Sequence, residues 1–157
     1  MKRTQENLSR TALAVFAING QLLDLSNALA APAGLTATEW QVLGAVLKTP
    51  LTQAQIARRM GITRQSVQRT AKQLVARGLA ARQRNPDHRK AMLMTPTEAG
   101  MAAISRINPG HAELARRLED ALGVDVFARI AEDLETLTLV LDQIEGGSRD
   151  DGDDPEP

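Results

Sequence analysis

Between Leu51 and Gly78 the apolar positions follow two short helical periods separated by a glycine. In the first, Ile56, Ala57 and Met60 share one face, and small Ala57 allows a neighbouring helix to approach closely. Thr52 is placed to cap that helix, and Gln55 three residues on completes a capping box. Gly61 stands where the chain must reverse sharply, a position that often needs the positive φ glycine adopts cheaply. Thr63 then caps a second helix whose Val67, Thr70, Ala71 and Leu74 repeat at the spacing of a buried stripe. At about 100° per residue, Gln65, Arg69, Lys72 and Ala76 lie nearly opposite that stripe. After Gly78 the period changes. Two short segments, Leu79–Arg84 and Ala91–Thr95, flank Asn-Pro-Asp-His-Arg-Lys, whose turn chemistry predicts a β-hairpin with His88, Arg89 and Lys90 at its tip.

Long helices are expected on either side. Leu8, Ala12, Val15, Phe16, Asn19, Leu22 and Leu23 line one broad side of an N-terminal helix, which Ala31-Pro32-Ala33-Gly34 ends. The same stretch loosely imitates a signal peptide, with Lys2 and Arg3 before Ala12–Ile18 and Ala28-Leu29-Ala30 as the cleavage site. Asn19, Gly20, Gln21 and Asp24 interrupt that path and favour the helix. No uninterrupted run approaches the roughly 20 apolar residues that span a bilayer. Thr36-Ala37-Thr38-Glu39 is a further capping box, opening a helix from Ala37 to Leu47 whose Trp40, Leu43, Ala45 or Val46, and Leu47 back the second helix of the central pair. Trp40 has two readings, core packing and the lining of a ligand pocket. Thr95-Pro96-Thr97-Glu98 starts the next long helix with proline in its first turn, and Pro109-Gly110 is expected to kink or break it. Helix resumes through Leu114 and Leu118 to Leu122, and Gly123 stops it. In the final helix Phe127, Ile130, Leu134, Leu137, Leu141 and Ile144 alternate spacings of three and four, an a/d seam. That much apolar surface predicts a partner subunit. From Gly146 onward GGSRDDGDDPEP carries no apolar residue and predicts a disordered acidic tail.

Charge adds an independent argument. The 157 residues hold 19 Lys or Arg and 19 Asp or Glu, a balance that implies nothing as a whole. Between Leu51 and Thr95, however, there are ten basic residues and one acid, Asp87, leaving nine basic and eighteen acidic residues elsewhere. Such asymmetry is the footprint of a nucleic-acid surface. With the hairpin as a wing, the pattern is a winged helix-turn-helix. Thr63, Arg64, Gln65, Ser66, Gln68, Arg69 and Lys72 form the groove-facing set, since Arg bridges guanine O6 and N7 and Gln pairs with adenine in a major groove. The fold class is therefore mainly α with a small β-hairpin wing and helical dimerisation arms. Its segments are 1–34 (dimerisation helix), 35–98 (DNA-binding domain), 99–145 (dimerisation helices) and 146–157 (tail).

Several classes are disfavoured. The chain has no cysteine, so disulfides, thiolate metal sites and thiol redox sensing are closed. Trp40, Phe16 and Phe127 are its only aromatics, too few for a single-strand stacking surface. His88 and His111, far apart in sequence, give a metal site little support, and no cofactor is implied. The best acid–base pair, Asp87 with His88, lies on an exposed turn where burial tunes neither group, which argues against an enzyme.

The order of elements resembles the MarR family of bacterial transcription regulators. The matching residues are Leu35-Thr36 with Trp40-Gln41-Val42-Leu43, then LTQAQIARRMGITRQSVQRTAKQLVARGL, then RQRNPDHRKAMLMTPTEAG, within a likeness covering about residues 5 to 145. The resemblance implies a cytoplasmic homodimer interlocked through the first, fifth and sixth helices. Phe16, Phe127, Ile130, Leu134, Leu137, Leu141 and Ile144 are the dimerisation residues, and double-stranded DNA with an inverted repeat is the partner. It places Asp87 and Arg89 at the wing tip, Arg89 entering the minor groove and Asp87 holding the tip's shape, with His88 and Lys90 beside them. It also implies a small organic effector bound between the dimerisation helices and the DNA-binding domain, with Trp40 as candidate lining. Two readings of control stand, a repressor released by that effector and a constitutive or architectural DNA-binding protein without one.

Overall fold

Threonines three residues ahead of a free backbone N–H start four helices of this chain, as seen in a computed structural model that describes residues 2–149. Helix α1 (Lys2–Ala30) ends in a tight 3-10 turn, Ala31–Ala33, closed by Gly34 at φ 72°. Thr36 and Glu39 then form the expected reciprocal box at the start of α2 (Ala37–Ala45). Asn27 of α1 reaches across the turn, its Oδ1 accepting from the Ala37 N–H at 2.8 Å. Helix α2 is two residues shorter than its apolar pattern predicts, so Leu47 lies outside it and is exposed. Thr52 and Gln55 box the start of α3 (Gln53–Met60), and Gly61 turns the chain at φ 64°. Thr63 caps α4 (Arg64–Ala76) through the Ser66 N–H.

The stripe on α4 is buried as its spacing predicts: Val67, Thr70, Ala71 and Leu74 all face the core. They meet Val42, Leu43 and Val46 of the α2 segment, Ile56 of α3, and Ile107 of α5 (Glu98–Leu122). At about 1.5–3 kcal/mol for each large apolar side chain removed from water, this cluster is the main stabilising term of the helix-turn-helix.

The hairpin is present, with shorter strands than expected and one addition. Strand β2 (Ala80–Gln83) pairs antiparallel with β3 (Leu93–Pro96), and β1 (Leu51–Thr52) adds to the far side of β3. The sequence reading took Thr52 only as a cap, but it also lies opposite Leu93 in this third strand. Pro96, expected inside the first turn of α5, instead ends β3, and Thr97 caps the helix. A proline at a strand end forfeits no interior ladder bond.

Helix α5 runs unbroken from Glu98 to Leu122 with Pro109 inside it, contrary to the expected break. Proline removes one N–H and frees the carbonyl of Ser105, a residue exposed to water, and its fixed φ is helical. The polypeptide divides into two compact units between His111 and Ala112. In the second, Arg116 bonds Glu113 and Asp120 along one exposed helix face, and the Arg116 hydrogen bond holds the Glu113 carboxyl below its usual pKa. Helix α6 (Val124–Arg149) continues past Ile144 to Arg149, so the 146–149 start of the predicted tail is helical. Helical backbone bonds propagate without apolar side chains once an upstream helix is formed. Residues 150–157 of that tail lie outside the described residues.

Much apolar surface stays uncovered in a single chain. On α1, Leu8, Phe16 and Leu22 are exposed, and on α6 so are Ile130, Leu134, Leu141 and Ile144. Phe127 and Leu137 are half-buried. The helical stretch 2–33 also contains an 18-residue window apolar enough, by length and composition, to cross a membrane, with a mean hydropathy of 1.2 over that window. No uninterrupted apolar run suggests this; the average does, because Asp24 is the one charge between Arg10 and Glu39.

Candidate nucleic-acid interface

Burial of one α4 stripe leaves the opposite residues no choice but to face outward. Arg64, Gln65, Gln68, Arg69 and Lys72 are exposed on α4, with the cap Thr63 exposed ahead of them. Ser66 is half-buried and donates its N–H to the Thr63 hydroxyl, so its part is structural as well as positional. Beside this end of α4 runs an open cleft of about 420 Å³ between the start of α3 and the base of the hairpin. Arg64, Gln68, Arg82 and Lys90 line it with Thr52 and Gln53. Three cations around one concavity concentrate positive charge there, the electrostatics that attract an anion. Arg82 was not among the residues singled out from sequence; its strand position, paired with Met94, is what directs it here.

Asp87, His88, Arg89 and Lys90 sit together at the exposed wing tip. The side chain that shapes this tip is Asn85, which is 8% exposed. Its Oδ1 accepts from the Asp87 N–H at 3.0 Å, an Asx turn in which Asp87 contributes backbone. Sequence reasoning recognised the Asn-Pro turn but missed Asn85 as its keystone, since burial of an asparagine is not visible in turn chemistry.

Comparison with known proteins agrees with this geometry. The MarR family profile matches residues 33–91, from the turn before α2 to the wing. The uncharacterized protein Rv2011c of Mycobacterium tuberculosis is 35% identical over 136 residues, covering 87% of this chain and 95% of that protein. The chain belongs to the MarR family. It is a DNA-binding transcription regulator of mainly helical, winged-helix fold, and the family's members are regulators, not enzymes. Among solved structures, the transcriptional repressor CouR bound to a 23-mer DNA duplex has a TM-score of 0.69 at 27% identity, covering 79% of this chain and 89% of that one. CouR from Rhodococcus jostii bound to p-coumaroyl-CoA has a TM-score of 0.67 at 22% identity, covering 82% and 91%.

Away from the exposed face of α4, this MarR-family chain ties down the far end of that helix. Arg77, just past the helix, donates Nη1 to both Glu39 carboxylate oxygens at 3.1 and 3.0 Å, and Nη2 to the Gly34 carbonyl at 2.7 Å. Glu39 is buried, so the guanidinium fork neutralises a carboxylate that has lost most of its water. The Thr97 hydroxyl donates to the Gly78 carbonyl at 2.6 Å, and the Thr97 N–H to the Leu79 carbonyl at 3.2 Å. The sequence placed Glu39 in a capping box, Gly34 at the end of α1 and Thr97 at the start of α5, but gave Arg77 no role and did not bring these residues together.

Trp40 is half-buried and packs edge-on against His111, ring centroids 5.7 Å apart at 90°. Close by in the chain, Gly110 faces Leu29 of α1 so tightly that an added β-carbon would stand 2.9 Å from Leu29 Cδ2. No cluster of three or more His, Asp or Glu able to hold a metal ion occurs among the described residues.

Proposed function

We propose that this chain acts as a cytoplasmic homodimer that binds an inverted repeat through paired recognition helices and represses transcription until a small organic effector releases it. The observation that carries the DNA part is the outward-facing end of α4. Gln65, Gln68 and Arg69 stand clear of the buried stripe there, and the basic cleft and wing flank them. Phosphate contacts from Arg64, Arg82, Lys90 and Arg89 would fix register, and Gln65, Gln68 and Arg69 would read base edges. Dimerisation is supported by the uncovered apolar faces of α1 and α6, with 1–34 and 99–145 as the arms and 35–98 as the DNA-binding domain. A partner subunit on those faces also accounts for the apolar character of residues 2–33 without a membrane.

Selection of binding sites from random DNA by the full-length protein tests the reading. Enrichment of one two-fold symmetric sequence, with half-sites about 10 base pairs apart, is the expected result. Equal affinity for all sequences, governed by salt alone, would replace it with an architectural role.

Effector control is supported by CouR, which is described with p-coumaroyl-CoA bound. In this chain Gln41, beside Trp40, has a buried Oε1 with no hydrogen-bond partner among the described residues, an acceptor that a ligand donor would satisfy. The constitutive reading has its own support. Leu29 against Gly110 and Trp40 against His111 fill part of the region where an effector would wedge. A screen of aromatic acids and apolar drugs for loss of operator binding, read with Trp40 fluorescence, separates the two.

A further inference from the structure

The recognition helix is gripped at one end by the elements on either side of it. Its N-terminal end faces out, whereas the three residues after its last turn, Arg77, Gly78 and Leu79, are all bonded elsewhere. Arg77 reaches back 38 residues to Glu39 and 43 to Gly34, the turn that ends α1. Glu39 is itself locked in the α2 capping box, and Asn27 of α1 holds the first N–H of α2. Thr97, the cap of α5, donates to the Gly78 and Leu79 carbonyls, and Gly100 closes on Leu79 too tightly for any side chain. Five hydrogen bonds therefore connect the end of α4 to the N-terminal segment and to the start of α5.

We propose that Arg77 is a positioning residue that sets the distance between the two half-sites this protein accepts. The inference rests on the dimeric, inverted-repeat reading above. If α1 and α5 carry the dimer axis, the orientation of α4 relative to that axis is transmitted through this joint and not through the bases. The guanidinium suits the task because its rigid fork bonds a buried carboxylate and a carbonyl at once, which a single ammonium does not reproduce. With Arg77 lost, α4 keeps its buried stripe and its base-reading face but pivots about the Thr97 contacts. Each half-site is then read as before, while the separation of the two recognition helices is no longer held to one value.

The test uses two DNA libraries with the full-length protein. One is randomised within the half-sites, and the other varies their centre-to-centre distance over about 8 to 14 base pairs around one helical turn. Arg77→Met and Arg77→Lys are expected to retain the half-site bases and to accept spacings that the unaltered protein rejects. Affinity for the best site should fall about tenfold, a middling value for coupling between separate sites. The salt slope at that site should stay unchanged, because a lost phosphate contact would lower it by about 0.9 and the Arg77 guanidinium is engaged by Glu39 and Gly34. Arg69→Ala should do the reverse, blurring bases and keeping spacing. If Arg77→Met does not fold, Arg77→Lys and Glu39→Gln carry the same comparison. An unchanged spacing profile in the Arg77 variants overturns the proposal, as does loss of base preference at fixed spacing. Failure of the unaltered protein to select any symmetric pair of half-sites would instead remove the reading on which it rests.

Discussion

Gly100, in the first turn of α5, lies against the Leu79 carbonyl so closely that a β-carbon there would overlap the oxygen, with Leu43 Cδ2 at 3.4 Å on another side. The obstacle is backbone, which cannot rotate aside as a side-chain tip can. The same carbonyl accepts from the Thr97 N–H, so moving it breaks a bond as well as a contact. Gly100→Ala is therefore expected to destabilise the fold by about 1–3 kcal/mol or more, the range for overpacking. Urea unfolding measures this, and a midpoint equal to that of the unaltered protein would mean that α5 can shift freely here.

Base reading and backbone binding should part in the α4 variants. Arg69→Ala or Gln65→Ala should flatten sequence preference in a competition assay, with about 1–3 kcal/mol of discrimination lost for each good base contact. Neither side chain is buried, so the melting temperature should barely move. Retained preference in both variants would move recognition elsewhere on the surface.

The wing makes a different prediction. Arg89→Ala should weaken binding to most sequences alike and lower the slope of log K against log salt by about 0.9. Asn85→Ala should give a broader defect, because it removes the acceptor for the Asp87 N–H and loosens the whole tip. An Arg89→Ala protein with unaltered affinity and salt slope would show that the wing stays off the DNA.

Association should depend on the α6 seam. Replacing Leu134 and Leu137 together by polar residues should remove up to about 1.5–3 kcal/mol of burial per side chain at each copy. Light scattering at micromolar concentration should then shift from dimer toward monomer. A stable monomer in the unaltered protein would contradict the dimer outright.

What the sequence determined by itself is local. The capping boxes at Thr36 and Thr52, the positive-φ turn at Gly61 and the buried stripe of α4 each involve residues three or four apart. Steric and hydrogen-bonding rules at that range act before any tertiary contact forms. The exposure of Gln65, Arg69 and Lys72 followed, because once one side of a short helix is buried the other is fixed by period alone. Tertiary structure decided the rest. Strand β1 exists because β3 offers an edge some forty residues away, and Arg82 faces the basic cleft because of its register with Met94. Asn85 became the keystone of the wing only once it was buried. Pro109 stays within α5 because the carbonyl it orphans belongs to an exposed residue, which propensity does not reveal. The joint at Arg77 combines partners 38 and 43 residues away with the start of α5. In sequence each is an ordinary arginine, glutamate or threonine; only packing buries Glu39 and brings the others within its reach or that of the end of α4.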